Sequence, residues 1–354
     1  MATAQTAELK PEVAAQCVVC GTGGRELLCS EAELREQIRY LREFHRRRLR
    51  PRRERRSDEP LADRAEFTQD YTTDVVSCVG CGLVLRDTRP RAADVLEAYE
   101  ADHYGAARLA AMFEAQLQSA RGKARQLRRH LRARQRPLVV EIGSFVGGFL
   151  AAAEELGWEA IGVDPGAEVG EFCRSKGLRV YQAAAQDAAI ASDVADCVAI
   201  WNTFDQLPDP RPTLKAARRW LRPGGVLVIR VPNGAAFRAA MRWQRTLPFP
   251  APLLAAMAWN NLLGFPYLYG YSIRTLDRLL ADFDFSRRAQ QPDTLVRLAD
   301  EDTVAWAVWE ERVLKSLWRN AARLDRDVAP WFDACYTRSA DRRPPEPVRR
   351  GMEL

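Results

Sequence analysis

The chain has 354 residues, the length of two or three domains, and 47% of them are apolar and 28% charged, as in globular proteins that bury a core. Its mean hydropathy is -0.33 and no run of about 18 apolar residues occurs, which excludes a helical membrane span. The first residues, MATAQTAELKPEVAAQ, lack the basic start and apolar stretch of a signal peptide, so we expect a cytoplasmic protein with reduced cysteines.

The net charge of +6 is concentrated in two arginine-rich segments. Residues 31–56 carry a net charge of +6 and residues 121–136 carry +8, so the rest of the chain is net acidic. Such segments either bind phosphate groups or form solvated helix faces. Because the sequence shows no known RNA-binding module and no interleaving of aromatic and basic residues, nucleic acid is a less favoured partner than a small molecule.

Two matched cysteine pairs bracket residues 17–90, which follow a lead at residues 1–16 that we expect to be disordered. Each Cys-x-x-Cys-Gly turn directs two thiolates at one metal, and four thiolates close a tetrahedral site without an open position. We therefore predict a structural zinc bound by Cys17, Cys20, Cys78 and Cys81. Two metal-free thiol turns are the alternative, and Cys29 is a further candidate ligand.

The gap of 57 residues between the cysteine pairs is longer than usual for such sites, and an arginine-rich helix is expected to fill it as an insertion. Its apolar stripe follows a spacing of three to five residues and comprises Leu34, Ile38, Leu41, His45 and Leu49. Pro51 is expected to end this helix, and an exposed linker follows.

A second helical stretch is predicted from about Ala92 to Arg136, in a linker or cap at 91–136. Its apolar residues step by three or four positions and form one face, which comprises Leu109, Phe113, Leu117, Ala120, Ala124, Leu127 and Leu131. From residue 137 short apolar strands alternate with helices, which predicts a parallel sheet with crossover helices. The strands LVVEIG, AIGVD, ADCVAIWN, GGVLVIRV and PWFDACYTR fall in a domain at 137–338, and a loose tail occupies 339–354.

A glycine-rich turn from Glu141 to Gly148 follows the first of these strands and opens a helix. An α/β sheet binds its ligand at this place, at the carboxyl end of a strand. Phe145 stands where the dinucleotide fingerprint has its second glycine, so the turn suits a nucleoside ligand better than a pyrophosphate. Asp164 ends the next strand and can accept both ribose hydroxyls. A plain strand–helix turn is the alternative.

Four sequence pieces in order, VEIGSFVGGFL, IGVDPG, AQDAAIASDVADCVAIWNTFDQLPDP and LRPGGVLVIRVPNG, resemble the class I S-adenosylmethionine-dependent methyltransferases. The resemblance covers about 137–290, where YLYGYSIRTLDRLLADFDF resembles the helix and sixth strand, and includes the last strand near 331–337. It implies an α/β fold with a Rossmann-like seven-stranded sheet, one antiparallel strand, and S-adenosylmethionine as the cofactor.

The resemblance also implies roles for individual residues. The turn residues would line the methionine and ribose, Glu141 would orient the turn, and Asp164 would hold the ribose hydroxyls. The adenine would be bordered by Pro165, Ala185 and Gln186, and the methionine by Asn202. The implied cofactor-binding set is Glu141, Gly143, Ser144, Phe145, Gly147, Asp164, Pro165, Ala185, Gln186 and Asn202.

One departure from the family concerns the general base. Many relatives read Leu-Glu-His where this sequence reads Phe204-Asp205-Gln206, and no histidine occurs after His130. The candidate catalytic residues are therefore Asp205, His103 and Tyr104. The alternatives are that Asp205 is a turn or capping residue and that His103 lies on a helix surface.

The cysteine-bracketed region resembles the zinc-binding region that precedes some bacterial class I methyltransferases, several of which act on nucleotide-linked sugars or other small metabolites. We therefore expect a methyltransferase with a small-molecule acceptor and no membrane partner. An RNA methyltransferase and a catalytically inactive interaction module that binds zinc and the cofactor are the alternatives.

Residues 235–270 are expected to build the acceptor pocket. A helix at Ala305–Leu324 could present a dimer face but is expected to pack on the sheet edge; the oligomeric state stays open.

Overall fold

The computed structural model describes residues 11–13, 16–48, 50, 73–101, 103–131, 135–265, 267–293 and 303–339. The expected linker after Pro51, most of the N-terminal lead and all but Ser339 of the C-terminal tail lie outside these residues. Within the expected lead, Pro11–Val13 nevertheless form a short strand that pairs with Thr88–Pro90. No helix of the described part of the chain is long and apolar enough to cross a membrane.

Strands and helices alternate through most of the chain. The strands are β1 (Pro11–Val13), β2 (Arg25–Cys29), β3 (Val75–Cys78), β4 (Val84–Arg86), β5 (Thr88–Pro90), β6 (Leu138–Ile142), β7 (Glu159–Asp164), β8 (Val180–Gln182), β9 (Ala195–Trp201), β10 (Leu221–Pro232), β11 (Tyr269–Gly270), β12 (Phe285–Asp293) and β13 (Trp331–Arg338). The helices are α1 (Glu31–Arg48), α2 (Ala92–Ala101), α3 (Ala106–Leu127), α4 (Gly148–Glu154), α5 (Ala167–Ser175), α6 (Arg211–Trp220), α7 (Gly234–Thr246), α8 (Ala251–Trp259), α9 (Ile273–Ala281) and α10 (Ala305–Leu324).

The main sheet has seven strands in the order β12-β13-β10-β9-β6-β7-β8. Strand β13 is antiparallel to both of its neighbours, and the remaining pairs are parallel, which confirms the expected class I methyltransferase sheet. Its central strands are buried on both faces, as their apolar sequences require. The short edge strand β8 was not predicted because its residues are half-buried or exposed and leave no apolar run.

The helical stretch expected from Ala92 to Arg136 is in fact two helices, α2 and α3, followed by a 3₁₀ turn at Arg128–His130. Gly105 separates them with a left-handed φ of 78°, which a continuous helix cannot contain. The predicted apolar face of α3 is correct, since every one of its residues is buried against α4 and the sheet. Between the two helices the chain turns over the end of the main sheet that carries the glycine-rich turn.

The cysteine-bracketed region forms a second, four-stranded sheet in the order β11-β4-β3-β2. Its fourth strand, β11, comes from the methyltransferase part of the chain and pairs antiparallel with β4. Helix α1 fills the gap between the cysteine pairs, as expected, but its buried face contains Gln37 and Phe44 where Ile38 was predicted. The reason is that α1 packs on α8, where Phe44 meets Trp259 with ring centroids 5.2 Å apart.

Helix α10 has the predicted boundaries but packs mainly on α8 and on the turn at Arg326–Val328, with a smaller contact to the edge strand β12. Its inner face buries an ion pair, Glu311 with Lys315, at 2.5 Å. Trp318 donates its indole N–H to the Val328 carbonyl oxygen at 2.5 Å. Trp309, by contrast, is 68% exposed.

Candidate functional site

The glycine-rich turn holds its shape through residues in the left-handed region. Gly143 and Gly147 have φ values of 73° and 78°, and Phe145, with a side chain, has 47°. A Cβ at Gly143 would overlap the side chain of Thr203, which follows β9. A Cβ at Gly148 would lie 2.6 Å from the Leu117 backbone nitrogen of α3. Glycine is therefore required at both places by close packing, and the turn is fixed between β9 and α3.

Asp164 joins this turn to the end of β7. One carboxylate oxygen accepts a hydrogen bond from the Phe145 backbone N–H at 2.8 Å, and the other accepts from the Gly166 N–H at 3.0 Å. A carboxylate has about four lone-pair positions and can therefore bond to backbone donors and to ligand hydroxyls at the same time. The Ala183 backbone N–H donates to the Asp164 carbonyl oxygen at 3.1 Å, which brings the segment with Ala185 and Gln186 to the same edge.

Two buried polar side chains lie under the turn. Glu141 at the end of β6 is fully buried, and neither of its carboxyl oxygens has a hydrogen-bond partner in the described part of the protein. Burial and the nearby Asp164 charge raise the pKa of Glu141 well above its usual range. The hydroxyl of Ser144 is likewise buried without a partner there. Such groups cost free energy unless a ligand or water supplies their hydrogen bonds, so they fit a polar ligand seated in the turn.

The segment between α2 and α3 covers the turn. The Tyr104 ring packs edge-on against Phe145 with centroids 5.3 Å apart. The backbone N–H groups of Tyr104 and Gly105 donate to the Glu168 carboxylate at 2.6 and 2.8 Å. The Tyr99 hydroxyl donates to the Gln206 side-chain oxygen at 3.0 Å, which connects the cover to the opposite wall. The structure therefore brings Tyr104 to the turn.

His103 takes a different position. Its side chain is 87% exposed, and its Nδ1 atom lies 3.7 Å from Glu168 on the outside of the cover. The two other candidate catalytic residues are directed inward, at the turn and at the opposite wall. The structure therefore does not bring His103 together with them, and its catalytic role stays a prediction.

The opposite wall follows β9. Asn202 has a left-handed φ of 55°, and its side-chain oxygen accepts a hydrogen bond from Arg230 at 2.6 Å. Gln206 donates its side-chain N–H to the Asn202 carbonyl oxygen at 2.8 Å. Arg230, Gln206 and Tyr99 were not predicted as site residues. A signal for Arg230 was present, because an arginine in the otherwise apolar strand VLVIRV calls for a polar partner.

Asp205 is the most unusual group of this wall. It is fully buried, and within the described residues neither carboxyl oxygen has a hydrogen-bond partner. Burial raises the pKa of Asp205 to about 7, and the positive charge of Arg230 limits the increase. The negative charge of Asp205 in turn contributes to the raised pKa values of the buried Tyr267 and Tyr271. The carboxyl group thus interacts electrostatically with two tyrosines and an arginine, and its pKa lets it take up or release a proton near neutrality.

The four predicted metal ligands form one cluster. The sulfur atoms of Cys17 and Cys81 are 3.6 Å apart, those of Cys20 and Cys78 are 3.5 Å apart, and all four lie within 4.8 Å of one another. Around a tetrahedral zinc with bonds of about 2.3 Å the sulfur atoms would be about 3.8 Å apart. The spacing therefore fits a single metal ion.

The backbone of the two cysteine turns is matched as well. Gly21 donates to the Cys17 carbonyl oxygen and Gly82 to that of Cys78, both at 2.8 Å, and both glycines are left-handed. The hydrogen bond between the two thiols lowers the pKa of Cys17 to about 5 and raises that of Cys81. Cys29 lies at the other end of β2, since it pairs with Val75 where Arg25 pairs with Cys78. The structure therefore separates Cys29 from the cluster.

Comparison with known proteins agrees with this site. A family model described as "Methyltransferase domain" matches residues 113–290, which include the glycine-rich turn, Asp164 and Asp205. The match covers half of the chain, so the protein belongs to the methyltransferase domain family and is an enzyme of the S-adenosylmethionine-dependent class I type. This membership speaks against a catalytically inactive module. No curated protein matches the chain.

Several solved structures are similar at low identity. A SAM-dependent methyltransferase from Thermotoga maritima, described as a possible histamine N-methyltransferase, is 16% identical, with 64% of this chain and 89% of that chain covered and a TM-score of 0.40. A SAM-dependent methyltransferase from Archaeoglobus fulgidus is 20% identical over 62% and 94%, with a TM-score of 0.39. The geranyl diphosphate C-methyltransferase from Streptomyces coelicolor A3(2) is 18% identical over 61% and 75%, with a TM-score of 0.39.

Proposed function

We propose that this protein transfers the methyl group of S-adenosylmethionine to a small-molecule acceptor, and that a nucleotide-linked sugar or similar metabolite is the first class to test. The observation that carries the cofactor part is the combination of the strained glycine-rich turn, the Asp164 carboxylate bonded to it, and the Glu141 carboxyl beneath it, which has no hydrogen-bond partner among the described residues. These groups meet at the carboxyl edge of β6 and β7, the place where open α/β sheets bind ligands.

Each part of the cofactor has a matching group in this proposal. Asp164 would accept the ribose hydroxyls, and Glu141 and Ser144 would meet the polar methionine end. Gly143, Phe145 and Gly147 would line the ligand, with Asn202 bordering the methionine moiety. Pro165, Ala185 and Gln186 would border the adenine. The carboxyl groups of Glu141 and Asp164 and the buried hydroxyl of Ser144 fit the hydroxyl groups of an uncharged sugar better than a phosphate.

The reaction places modest demands on the side chains. The bound cofactor supplies a methyl group on a positively charged sulfur, and transfer is an in-line displacement. Alignment of the acceptor then provides most of the rate, because charge is dispersed in the transition state.

An acceptor hydroxyl must also lose its proton. Asp205 would take that proton, since its carboxyl has a pKa of about 7 and no protein partner within the described residues. Such a base contributes about 10²- to 10⁴-fold. Tyr104 and His103 are the other candidates.

The four-cysteine cluster would hold a structural zinc ion. Its ligands, Cys17, Cys20, Cys78 and Cys81, leave no open coordination position for chemistry. Without a metal, the four cysteines would keep protons and form hydrogen bonds with one another, as the opposite pKa directions of Cys17 and Cys81 illustrate. Binding of zinc would release these protons and stabilise the cysteine-bracketed region.

A small acceptor is favoured over RNA because arginines of both basic segments are engaged in ion pairs with neighbouring carboxylates. On α1, Arg35 pairs with Glu31 and Arg46 with Glu43, each at 2.5 Å. On α3, Arg121 pairs with Glu155 at 2.6 Å. Such pairs describe a solvated helix surface rather than a row of free cations for phosphates.

The test is calorimetric titration with S-adenosylmethionine on the full, zinc-replete chain. We expect micromolar binding for the wild type, a loss of at least about tenfold for Asp164→Ala, and wild-type affinity for the control Asp282→Ala, which removes an aspartate at the end of α9. The absence of binding by folded wild-type protein would overturn the proposal. An acceptor screen with radiolabelled cofactor would follow, and methylation of RNA with steep salt dependence would contradict the small-molecule assignment.

A further inference from the structure

A buried arginine connects the cysteine-bracketed region to the wall that carries Asp205. Arg86, at the end of β4, is completely buried. Its Nε donates to the Tyr267 carbonyl oxygen at 3.0 Å, and its Nη2 donates to the carbonyl oxygens of Phe265 at 2.5 Å and Gly264 at 3.3 Å. A buried guanidinium is expensive unless its donors are used, so these contacts fix its position and that of the loop it holds.

That loop, here called the acceptor-side loop, comprises residues 261–265 and 267–271. Its backbone is strained, because Asn261 and Phe265 have left-handed φ values of 52° and 43° although neither is glycine. A residue in that conformation persists only where its surroundings hold it. Gln37 of α1 supplies one contact, since its side-chain oxygen accepts from the Gly264 N–H at 3.0 Å. Arg86 supplies the three side-chain hydrogen bonds described above.

The same loop reaches the site. Its Leu268 N–H donates to the Asp205 carbonyl oxygen at 3.1 Å, and Gly234 donates to the Tyr271 carbonyl oxygen at 2.9 Å. Strand β11 then pairs with β4, two residues from the second cysteine turn. Core packing joins the two parts too, because Cys17, Cys78 and Leu83 share a cluster with Leu268 and Tyr271.

We propose that Arg86 is a positioning residue through which the four-cysteine cluster controls the order of the acceptor-side loop, and that it leaves the binding of S-adenosylmethionine unaffected. The separation follows from the contacts. Arg86 bonds to carbonyl oxygens of the loop, whereas Asp164 and the turn are held by β6, β7 and the cover. That this loop borders the acceptor rests on the function proposed above. The coupling of the loop to the four-cysteine cluster through Arg86 does not depend on that function.

Hydrogen exchange on the full chain tests this coupling without knowledge of the acceptor. In Arg86→Met we expect exchange of peptides covering 261–271 to rise about tenfold or more, with peptides covering 138–166 unchanged, because the loop carbonyl oxygens lose their guanidinium donors whereas β6 and β7 keep their own pairing. Arg86→Lys keeps the charge and some donors and should restore part of the protection. The matched control is Arg25→Met, since Arg25 is bonded to Asp87 within the cysteine-bracketed region and not to the loop.

A second arm removes the metal. In wild-type protein treated with a zinc chelator, exchange at 261–271 should rise more than exchange at 138–166, because the shared core weakens both sheets whereas only the loop is held from β4. Calorimetry should still give an S-adenosylmethionine affinity within about threefold of the untreated protein. Unchanged exchange of the loop in both Arg86→Met and the chelated protein would overturn the proposal, as would an equal increase across all peptides. If the wild type does not bind S-adenosylmethionine, the proposed function is wrong, but the hydrogen-exchange result still tests the coupling of the loop to the four-cysteine cluster.

Discussion

Asp205 shows how one buried carboxyl can influence both chemistry and stability. Its pKa of about 7 in the folded protein stands about three units above the usual value for aspartate, 3.8. A group whose folded pKa is raised by burial takes up its proton at a higher pH in the folded state than in the unfolded state. The folded state is therefore favoured where Asp205 is protonated, and this contribution is lost as the pH rises through the range from about 4 to about 7.

The variant Asp205→Asn tests whether Asp205 lowers the stability of the protein as the pH rises. Asparagine carries no charge, so the free energy of unfolding of the variant should lack the decline with pH that Asp205 causes. We expect the stability of the variant relative to the wild type to increase by about 2 to 3 kcal/mol between pH 5 and pH 8, measured by urea denaturation. Asp187→Asn, which changes an exposed aspartate, is the control. A relative stability that does not change with pH would show that Asp205 ionises normally.

At the level of single residues, the sequence predicted the positions in the glycine-rich turn and Asp164, because strand–turn–helix chemistry constrains them locally. It named Asp205 as a candidate but could not predict its burial, which arises from tertiary packing: the Leu268 backbone N–H, more than sixty residues later in the chain, donates to the Asp205 carbonyl oxygen. Arg86 carried no local signal for its role. Its partners are carbonyl oxygens of a loop about 180 residues away, and any residue type could supply those.

At the scale of elements, the cover formed by α2 and the following turn should control the residence of a bound ligand. Tyr99 reaches from the end of α2 to Gln206, and one such hydrogen bond contributes about 0.5 to 1.5 kcal/mol. We therefore expect Tyr99→Phe to increase the dissociation rate of S-adenosylmethionine by about two- to tenfold in stopped-flow measurements, with little change in the association rate. Tyr40→Phe on α1 is the control. Equal dissociation rates in the two variants would mean that the cover does not retain the ligand.

The elements that sequence patterns missed have a common physical cause. Strand β8 has no buried apolar run, and β11 is two residues long, too short for any alternation to be visible. The strand β11 forms because β4 offers it a pairing edge, a tertiary cause that periodicity does not encode. The long buried strands and α3 were predicted because the pattern of their own apolar residues indicates which face is buried. Only the break at Gly105 was missed there, since isolated glycines also occur within helices.

At the scale of the whole molecule, the two sheets share one hydrophobic core. Val19, Val76 and Leu85 of the cysteine-bracketed region pack in the same cluster as Ile229 of β10 and Leu276 of α9. Such continuity couples the two parts, so that loss of order in one removes packing from the other. Zinc binding would then act on the stability of the entire chain, because a metal bound only by the folded form stabilises it by mass action.

We expect the purified wild type to contain about one zinc per chain and to unfold in one calorimetric transition, because metal and core belong to one cooperative unit. Cys78→Ser should lose the metal and lower the midpoint by about 10 °C or more, since zinc in such sites contributes several kcal/mol and each kcal/mol corresponds to roughly 2 °C in larger chains. Cys29→Ser should retain the metal, because Cys29 lies at the far end of β2. A Cys78→Ser protein with the wild-type midpoint would show that the four thiols are metal-free turns. Loss of zinc from Cys29→Ser would instead place a different thiol in the coordination sphere.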